Sequence, residues 1–290
     1  MVAMGQAAAR RPPRLASWAT RSFSATGTAT APGGGGVRRF CRAYNFTNGL
    51  VPYVQAWSWQ QALTKQRMAW QKEQPPRVGH DALLLLEHSS VYTLGRGSTL
   101  KNLKFDPDDP ACPHEVHRVE RGGEVTWHGP GQVVAYPILD LTHHRKDLHW
   151  YLRQLEEVVI RTLAAHGMRG ERDDDHTGVW VGGAKLAAIG LNASRWVTMH
   201  GLALNVHPDM ARFRDIVPCG IEGRPVGCMR DLEPGVTANV VRGDLVRAFA
   251  EVFGVDVEVV PAQGEEDLDL SAGLSESAAA APRAAVSAAS

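Results

Sequence analysis

Two residues of this 290-residue sequence have types that could do covalent chemistry together, namely Lys185 and Cys219. Lys185 lies in the stretch Gly-Ala-Lys-Leu-Ala-Ala-Ile-Gly at residues 183–190, and Cys219 lies between Pro218 and Gly220. A cysteine is a strong nucleophile only as the thiolate, and a nearby ammonium group stabilises that anion. The sequence therefore suggests an activated cysteine, on the hypothesis that the two side chains meet in the fold.

Each of these residues also has an inert interpretation. A cysteine between proline and glycine belongs on a turn, where a nucleophile can be presented, but a lone cysteine in such a loop is more often inert. Lys185 interrupts an apolar, strand-like run. Because burying a lysine is costly without a use or a partner, Lys185 either is buried with such a use or partner or points to the solvated face. Position alone favours the inert interpretation of the cysteine and, slightly, the solvated position of the lysine.

A glycine-rich stretch at residues 121–132 could hold a substrate. Its small residues would let a backbone approach an extended acyl chain or a carbonyl group. No Gly-Lys dipeptide occurs anywhere in the sequence, which excludes a Walker-type phosphate loop. His128 and His200 each precede a glycine. Each could be an acid–base catalyst or a buried histidine with one hydrogen-bonded nitrogen, and position alone favours the second.

The sequence contains four cysteines, Cys41, Cys112, Cys219 and Cys228. They show no Cys-x-x-Cys spacing and no pattern of a disulfide-stapled domain, which fits a reducing compartment. Cys112, with His114 and His117 close by, could suggest a metal site. A solvated loop is the favoured interpretation of that stretch, and we expect no bound metal.

The apolar pattern predicts three helices, over residues 54–72, 148–163 and 238–253. It predicts strands over residues 82–87, 91–94, 116–120, 124–128, 133–138, 178–181, 184–192, 197–206 and 255–260. Gly122 and Gly123 are expected to form a hairpin turn between the third and fourth of these strands. Antiparallel groups of strands with a few covering helices favour an α+β fold of two-layer type, with a mixed or antiparallel sheet.

Composition divides the chain into three parts. Residues 1–39 are rich in Arg, Ser, Ala and Thr, and residues 1–42 contain seven arginines and no acidic residue. This is typical of an organelle transit peptide, mitochondrial before plastid, with a disordered basic tail as the alternative. We expect one folded domain over residues 40–262 and a disordered, acidic Ala/Ser-rich tail over residues 263–290.

Charge and hydropathy exclude two classes of partner. The formal net charge is zero, and the central part of the chain is close to neutral, so we expect no nucleic-acid surface. No segment approaches the ~18 consecutive apolar residues of a membrane-spanning helix, so we expect no membrane partner.

Five motifs in order resemble those of the lipoyl(octanoyl) transferases over roughly residues 44–258. The first is Arg-Gly-Gly-x-x-Thr-x-His-Gly-Pro-Gly-Gln at residues 121–132, followed by Tyr-Pro at 136–137. Lys-x-Ala-Ala-Ile-Gly follows at residues 185–190, and His-Gly-Leu-Ala-Leu-Asn-Val at 200–206. Pro-Cys-Gly at residues 218–220 is the last, and no motif position departs from the pattern.

This resemblance implies a catalytic domain with the α/β fold shared by lipoate and biotin protein ligases. It implies an enzyme that takes octanoate, or lipoate, from an acyl carrier protein thioester and attaches it to a lysine of a lipoyl domain. The acceptors would be the lipoyl domains of 2-oxoacid dehydrogenase complexes and the glycine cleavage H protein. No cofactor is implied, because a thioester donor needs no ATP.

The resemblance also assigns roles to residues of this sequence. Cys219 would form the acyl-thioester intermediate, and Lys185 would activate it and shuttle protons. The acyl and product site would be lined by Arg121, Gly122, Gly123, Glu124, Val125, Thr126, Trp127, His128, Ala188, Ile189, Gly190, Gly201, Leu202 and Ala203.

Two other functions compete with this prediction. An ATP-dependent lipoate or biotin ligase on the same scaffold would also use a lysine but would not need the cysteine of Pro-Cys-Gly. A catalytically dead scaffold would bind carrier or lipoyl domains and carry an ordinary thiol at Cys219. ATP dependence distinguishes the first alternative, and alkylation of Cys219 at neutral pH distinguishes the second.

Overall fold

The computed structural model describes residues 21–23, 39–74, 80–221 and 223–270. The strands in chain order are β1 (Arg21–Phe23), β2 (Phe40–Phe46), β3 (His80–Leu86), β4 (Val91–Leu94), β5 (Val116–Arg118), β6 (Val125–His128), β7 (Gln132–Ile138), β8 (Val179–Val181), β9 (Ala184–Ser194), β10 (Val197–Asn205) and β11 (Asp256–Ala262). The α-helices are α1 (Tyr53–Trp70), α2 (Leu148–Ala165) and α3 (Ala238–Phe253). None of the helices in these ranges has the length and apolar character needed to span a bilayer.

The strands form a large mixed sheet and a small one. The order of the large sheet is β1-β11-β2-β3-β7-β10-β9-β8, and that of the small sheet is β5-β4-β6. In the large sheet β2 runs parallel to both β11 and β3, and the other pairs are antiparallel. The predicted α+β class with a mixed sheet is therefore confirmed.

The large sheet is buried on both faces, because successive side chains of a strand point to opposite sides. In β3, Leu83 and Leu85 join the core beneath α2 and α3, whereas Leu84 and Leu86 join the core beneath α1. The helices thus lie on both faces of the sheet, one layer more than the two-layer prediction. The three helices themselves lie where the sequence pattern predicted them.

Local signals in the sequence explain where two of the helices begin and end. Asp147 caps α2 by accepting a hydrogen bond from the Trp150 amide at 2.9 Å, as expected from its position. Gly167 follows the helix at φ +71°, and Gly254 ends α3 in the left-handed region at φ +61°. Glycine adopts this conformation without steric cost, which stops each helix.

The predicted hairpin at Gly122 and Gly123 is wrong. Strands β5 and β6 flank that turn along the chain, but β4 lies between them in the small sheet. β4 pairs in parallel with β5 and antiparallel with β6. The two glycines do reverse the chain direction, but the chain crosses to the far side of β4 before it pairs.

The predicted boundaries of the folded domain also need correction. Residues 263–270, assigned to the disordered tail, pack against the domain, and Leu268 is only 5% exposed. Residues 21–23, inside the predicted leader, form β1, which pairs with the outer edge of β11. Hydrogen bonds to a free sheet edge explain this pairing. The rest of both predicted segments, residues 1–20, 24–38 and 271–290, lies outside the described residues.

Candidate active site

A cleft with a volume of about 220 Å³ lies between the large sheet and the small sheet. Its floor is formed by β9 and β10, and β6 with the loop before it forms one wall. Lys185 and Cys219 both line this cleft. All of the predicted substrate-site residues also line it except Gly122, Val125 and Trp127.

The structure brings Lys185 and Cys219 together. The Lys185 Nζ atom lies 3.2 Å from the Cys219 Sγ atom, within hydrogen-bond range for sulfur. Lys185 is only 6% exposed, so the interpretation in which it points to the solvated face is wrong. A buried ammonium beside a sulfur atom stabilises the thiolate, since the ion pair offsets the cost of burying each charge.

Cys219 is presented by a strained turn. Residues Pro218–Gly220 form one turn of 3₁₀ helix, in which Cys219 has φ +57° and ψ 16°. This left-handed conformation is uncommon outside glycine and clusters at functional sites. The turn is closed by a hydrogen bond of 3.0 Å from the Gly220 amide to the Val217 carbonyl. The Val217 amide donates in turn to the Asn102 carbonyl at 2.8 Å, which ties the turn to the rest of the domain.

Two of the other cysteines contrast with Cys219. Cys41 is fully buried, and burial raises the pKa of its thiol well above the usual value. Burial also raises the pKa of Cys228, which is 1% exposed. A higher pKa disfavours the thiolate, so both are inert core residues. Cys219 is half-buried and contacts an ammonium group, which makes it chemically distinct.

The position of Lys185 is fixed by its backbone and by a glycine. Its amide donates to the Pro225 carbonyl at 2.9 Å, and its carbonyl accepts from the Gly227 amide at 3.0 Å. Gly178 packs against its side chain, and a Cβ atom at that position would lie 2.6 Å from the Lys185 Cε atom. Only glycine therefore leaves room for the lysine stem.

Arg121 organises the loop at the cleft wall. It is 8% exposed, and its guanidinium donates to the carbonyl oxygens of Gly122, Glu124 and Thr93 at 2.8–3.0 Å. Burial lowers the pKa of Arg121 from its usual value. Because these hydrogen bonds go to backbone carbonyl groups, Arg121 fixes the conformation of the loop that faces Cys219.

Alternation along β6 explains two of the three predicted residues that do not line the cleft. Thr126 and His128 face the cleft, whereas Val125 and Trp127 point to the other side of the strand and pack in the core of the small sheet. Gly122 contributes through its backbone, because its amide donates to the Leu191 carbonyl of β9 at 3.0 Å.

Alanine and glycine residues form much of the floor of the cleft, where neighbouring strands pack closely. Ala188, Ile189 and Gly190 of β9 pair with the segment 201–203 of β10. A Cβ atom on Gly201 would lie 2.2 Å from the Ala135 carbonyl oxygen, so no larger residue fits there. The predicted assignment of these two segments to the site is consistent with the geometry.

Sequence reasoning missed several residues of the cleft. Those not assigned to the site are Tyr53, Tyr136, Asp175, His176, Thr177, His200 and Ile221. Tyr136 and His200 belong to the motifs at residues 136–137 and 200–206, so a signal for them existed. Tyr53 is the first residue of α1, and nothing in the sequence indicated that the N-terminus of this helix would lie over the cleft.

The two candidate histidines are neutral in this environment. Burial lowers the pKa of His128 well below its usual value and also lowers that of His200. His128 Nδ1 lies 3.1 Å from Gln132 Oε1, which fits the interpretation of a buried histidine with one hydrogen-bonded nitrogen. His200 Nε2 lies 3.7 Å from Glu120 Oε1, and its backbone amide donates to Gln60 Oε1 at 2.7 Å.

The stretch around Cys112 does not assemble a metal site. The Cys112 thiol contacts the His114 carbonyl at 4.0 Å, and the ring of His117 is bonded to Glu115 at 2.6 Å. In the described part of the chain, one group of three potential ligands has its atoms close together, namely Asp173, Asp175 and His176. Asp173 in that group is paired with Arg224.

Comparison with known proteins agrees with this geometry. The sequence profile of the lipoyl protein ligase A/B catalytic domain matches residues 52–250. A crystal structure of lipoate-protein ligase A bound with ATP superposes with a TM-score of 0.57 at 15% identity, over 78% of this chain and 88% of that one. A bipartite lipoate protein ligase from Thermoplasma acidophilum has the same TM-score and identity, over 79% and 89%. These structures show a shared fold.

Closer relatives come from cyanobacteria. The octanoyltransferase of Nostoc sp. (strain PCC 7120) is 55% identical over 217 residues, which cover 75% of this chain and 94% of the relative. That of Synechocystis sp. (strain PCC 6803) is 54% identical over 215 residues, with coverages of 74% and 90%. The chain therefore belongs to the lipoyl(octanoyl) transferases of the lipoyl protein ligase A/B family. It is an acyltransferase.

Proposed function

We propose that the protein transfers an octanoyl or lipoyl group from an acyl carrier protein thioester to a lysine of a lipoyl domain through an acyl-thioester at Cys219. The distance of 3.2 Å between Lys185 Nζ and Cys219 Sγ, inside the cleft, carries this proposal. The similarity to octanoyltransferases supports the nature of the acyl group.

The reaction divides into two steps of modest cost. In the first, the Cys219 thiolate attacks the donor carbonyl, the bond to the donor sulfur breaks, and that thiol leaves with a proton from Lys185. In the second, the amine of the acceptor lysine attacks the acyl-cysteine, and Lys185 takes up the proton that the amine loses. The Cys219 thiolate is regenerated and the product is an amide. Splitting the transfer in this way explains why both a cysteine and a lysine are needed.

The same fold also suggests an ATP-dependent ligase as an alternative. One solved structure with this fold is a lipoate-protein ligase bound with ATP. The contact between Lys185 and Cys219 favours the transferase, because activation by adenylation does not require a nucleophilic cysteine beside the lysine. Transfer that needs a thioester donor and proceeds without ATP would support the proposal, whereas transfer of free octanoate with ATP would contradict it.

The proposed partners follow from the chemistry of the two steps. The donor is octanoyl-acyl carrier protein, and the acceptors are the lipoyl domains of 2-oxoacid dehydrogenase complexes and the glycine cleavage H protein. A solved lipoate protein ligase with this fold belongs to an archaeal lipoylation system that includes an E2 lipoyl domain. That system supports lipoyl domains as the class of acceptor.

Intact mass spectrometry after incubation with octanoyl carrier protein tests the intermediate. We expect an increase by one octanoyl group, removed by hydroxylamine and absent in Cys219→Ala. Cys219→Ser should be severely impaired, because a serine hydroxyl is not ionised at neutral pH. Cys112→Ala is the matched control, since Cys112 is also half-buried but lies outside the cleft. Near-normal transfer by Cys219→Ala would rule out the mechanism.

A further inference from the structure

The cleft has two chemically different ends. Cys219 lies near Thr126, Ala188 and Ala203, with which it shares a small cavity. His200 lies three residues from Ala203 along β10, which corresponds to roughly 10 Å at about 3.4 Å per residue. An acyl chain attached to Cys219 and lying along β10 would therefore point toward His200.

The far end of the cleft is buried but polar. Tyr53 and His200 are 1% and 2% exposed and both line the cleft. Among the described residues, neither the Tyr53 hydroxyl nor His200 Nε2 has a hydrogen-bond partner, and Glu120 Oε1 lies beyond hydrogen-bond distance of His200 Nε2, at 3.7 Å. The neighbouring Tyr136 differs, because its hydroxyl is bonded to His88 Nε2 at 2.8 Å. Buried polar groups without a partner are uncommon, and each calls for a partner from a ligand or from water.

The length of an octanoyl chain matches the distance to this end. Its seven carbon–carbon bonds of about 1.5 Å each give a chain of at most roughly 10 Å. Two further methylene groups would press apolar carbon against the Tyr53 hydroxyl and His200 Nε2. That contact is unfavourable, because it denies both groups a hydrogen-bonding partner.

We propose that Tyr53 and His200 form a polar end wall that limits the acyl chain to about eight carbons and accepts a hydrogen-bonding group at the distal carbon. This inference rests on the proposed function, and it concerns the acyl-chain length that the same cleft accepts. Tyr53 is placed over the cleft by the first turn of α1, and it stacks on His128 with ring centroids 6.4 Å apart. Its hydroxyl is therefore the group that can be removed without moving the ring.

Tyr53→Phe tests the end wall through ratios of acylation rates at Cys219. The substrates are the carrier-protein thioesters of octanoate, decanoate and 8-hydroxyoctanoate, and the readout is intact mass over time. We expect the octanoyl-to-decanoyl rate ratio to fall about tenfold in the variant, equivalent to about 1.4 kcal/mol. The ratio of 8-hydroxyoctanoyl to octanoyl should fall by a similar factor, because the distal hydroxyl loses its partner.

Tyr151→Phe is the matched control. Tyr151 is a fully buried residue of α2, which packs on the opposite face of the sheet. Within the described residues, its hydroxyl also has no hydrogen-bond partner. Both rate ratios should be unchanged in this variant. Unchanged ratios in Tyr53→Phe would overturn the end wall while leaving octanoyl transfer intact. Absence of any acyl-enzyme in the wild-type protein would instead overturn the proposed function.

Discussion

The two residues at the centre of the site reach it in unusual states. Lys185 is a buried lysine in a strand of the large sheet, and Cys219 has a left-handed backbone conformation on a turn. Each state costs free energy on its own, and their contact at 3.2 Å offsets part of the electrostatic cost. The arrangement is therefore sensitive to the charge of the lysine as well as to its size.

Lys185→Met tests the role of that charge. Because methionine keeps most of the apolar stem, we expect folding to be retained, whereas iodoacetamide should alkylate Cys219 about tenfold more slowly at neutral pH. The measurement is the alkylation rate against pH, followed by peptide mass. Lys185→Arg should also fail to transfer octanoate, since a guanidinium does not release a proton in this range. An unchanged alkylation profile in Lys185→Met would show that Lys185 does not activate the thiol.

The sequence singled out Lys185 and Cys219, which contact each other, and most residues that line the cleft, because those residues lie in short motifs with distinctive composition. Tyr53 could not be predicted in the same way. Its role depends on where α1 crosses the sheet, which is a property of tertiary packing rather than of neighbouring residues. Alternation along β6 could have been used, and it would have separated Thr126 and His128 from Val125 and Trp127.

At the level of secondary-structure elements, an ion pair holds the loop that follows Cys219 in place. Arg224 pairs with Asp173, and its guanidinium lies 4.0 Å from the centre of the Trp180 ring on β8. Lys185 Nζ lies 5.4 Å from the same ring. Trp180 therefore contacts both the lysine and the loop that carries Arg224. The ion pair joins this loop to the segment before β8, the strand next to the one that carries Lys185.

Arg224→Ala should loosen this link without unfolding the domain. We expect acylation of Cys219 to slow several-fold, while the free energy of unfolding changes by less than about 1 kcal/mol, as is usual for a partly exposed ion pair. Combining Asp173→Arg with Arg224→Asp should restore part of the rate. Arg169→Ala is the control, because that side chain is 91% exposed and pairs only with Glu171 at the surface among its described contacts. An equal loss of acylation rate in Arg224→Ala and in Arg169→Ala would show that the Asp173–Arg224 ion pair does not position Cys219.

A histidine at the end of α2 should make stability depend on pH. His166 lies 3.0 Å from Asp244 of α3 and 2.7 Å from Glu233. The hydrogen bond to Asp244 raises the pKa of His166 despite partial burial, and the one to Glu233 adds to the effect. Its stabilising contribution is therefore fully present below the unfolded pKa near ~6.5 and is lost as the pH rises through the higher folded value.

Thermal unfolding of His166→Gln at two pH values checks this expectation. The variant should be less stable than the wild type by about 1 kcal/mol at pH 6, and the difference should shrink at pH 9. His149→Gln is the control, since His149 is exposed at the other end of the same helix. A difference that is constant with pH would mean that His166 stabilises the fold by packing alone.

The predictions of secondary-structure elements succeeded where the local sequence pattern decides the structure. They failed where the structure depends on which strands pair with each other. Helical spacing of apolar residues placed α2 and α3, because that signal lies within each segment. The hairpin prediction failed because two glycines signal a reversal of direction but do not specify the partner. The partner strand, β4, lies more than twenty residues upstream of the turn.

At the scale of the whole molecule, the segment after β11 belongs to the folded domain. Leu268 is buried in the core beneath α1, the Asp269 amide donates to the Tyr44 hydroxyl at 3.1 Å, and Gln66 Nε2 donates to the Asp269 carbonyl at 2.7 Å. These contacts revise the prediction that the folded domain ends at residue 262 and that a disordered tail follows it.

Two truncated chains compare the boundaries directly. A chain of residues 39–270 should transfer octanoate as well as the full chain. A chain of residues 39–262 should be less stable by about 2 kcal/mol, because it loses the burial of one leucine and two hydrogen bonds. Urea unfolding measures the difference. Equal stability of the two chains would show that residues 263–270 contribute nothing to the fold.

Residues 1–39 are proposed to direct the protein to an organelle. The composition of this segment favours the mitochondrion, with the plastid as the alternative. A fluorescent reporter fused to residues 1–39 should enter mitochondria. Entry into plastids would change the compartment only, and a reporter that stays in the cytosol would contradict organelle targeting altogether.

The pairing of β1 with β11 has a consequence for any chain that lacks its first residues. Cleavage after residue 23 would remove β1 and leave β11 as an outer strand with unpaired amides and carbonyls, a template for self-association into larger aggregates. β11 is partly protected, since Glu258 is charged and Pro261 has no amide hydrogen to donate to a neighbouring strand. A chain that begins after residue 23 should therefore resist edge-to-edge association even though β11 has lost its outer partner.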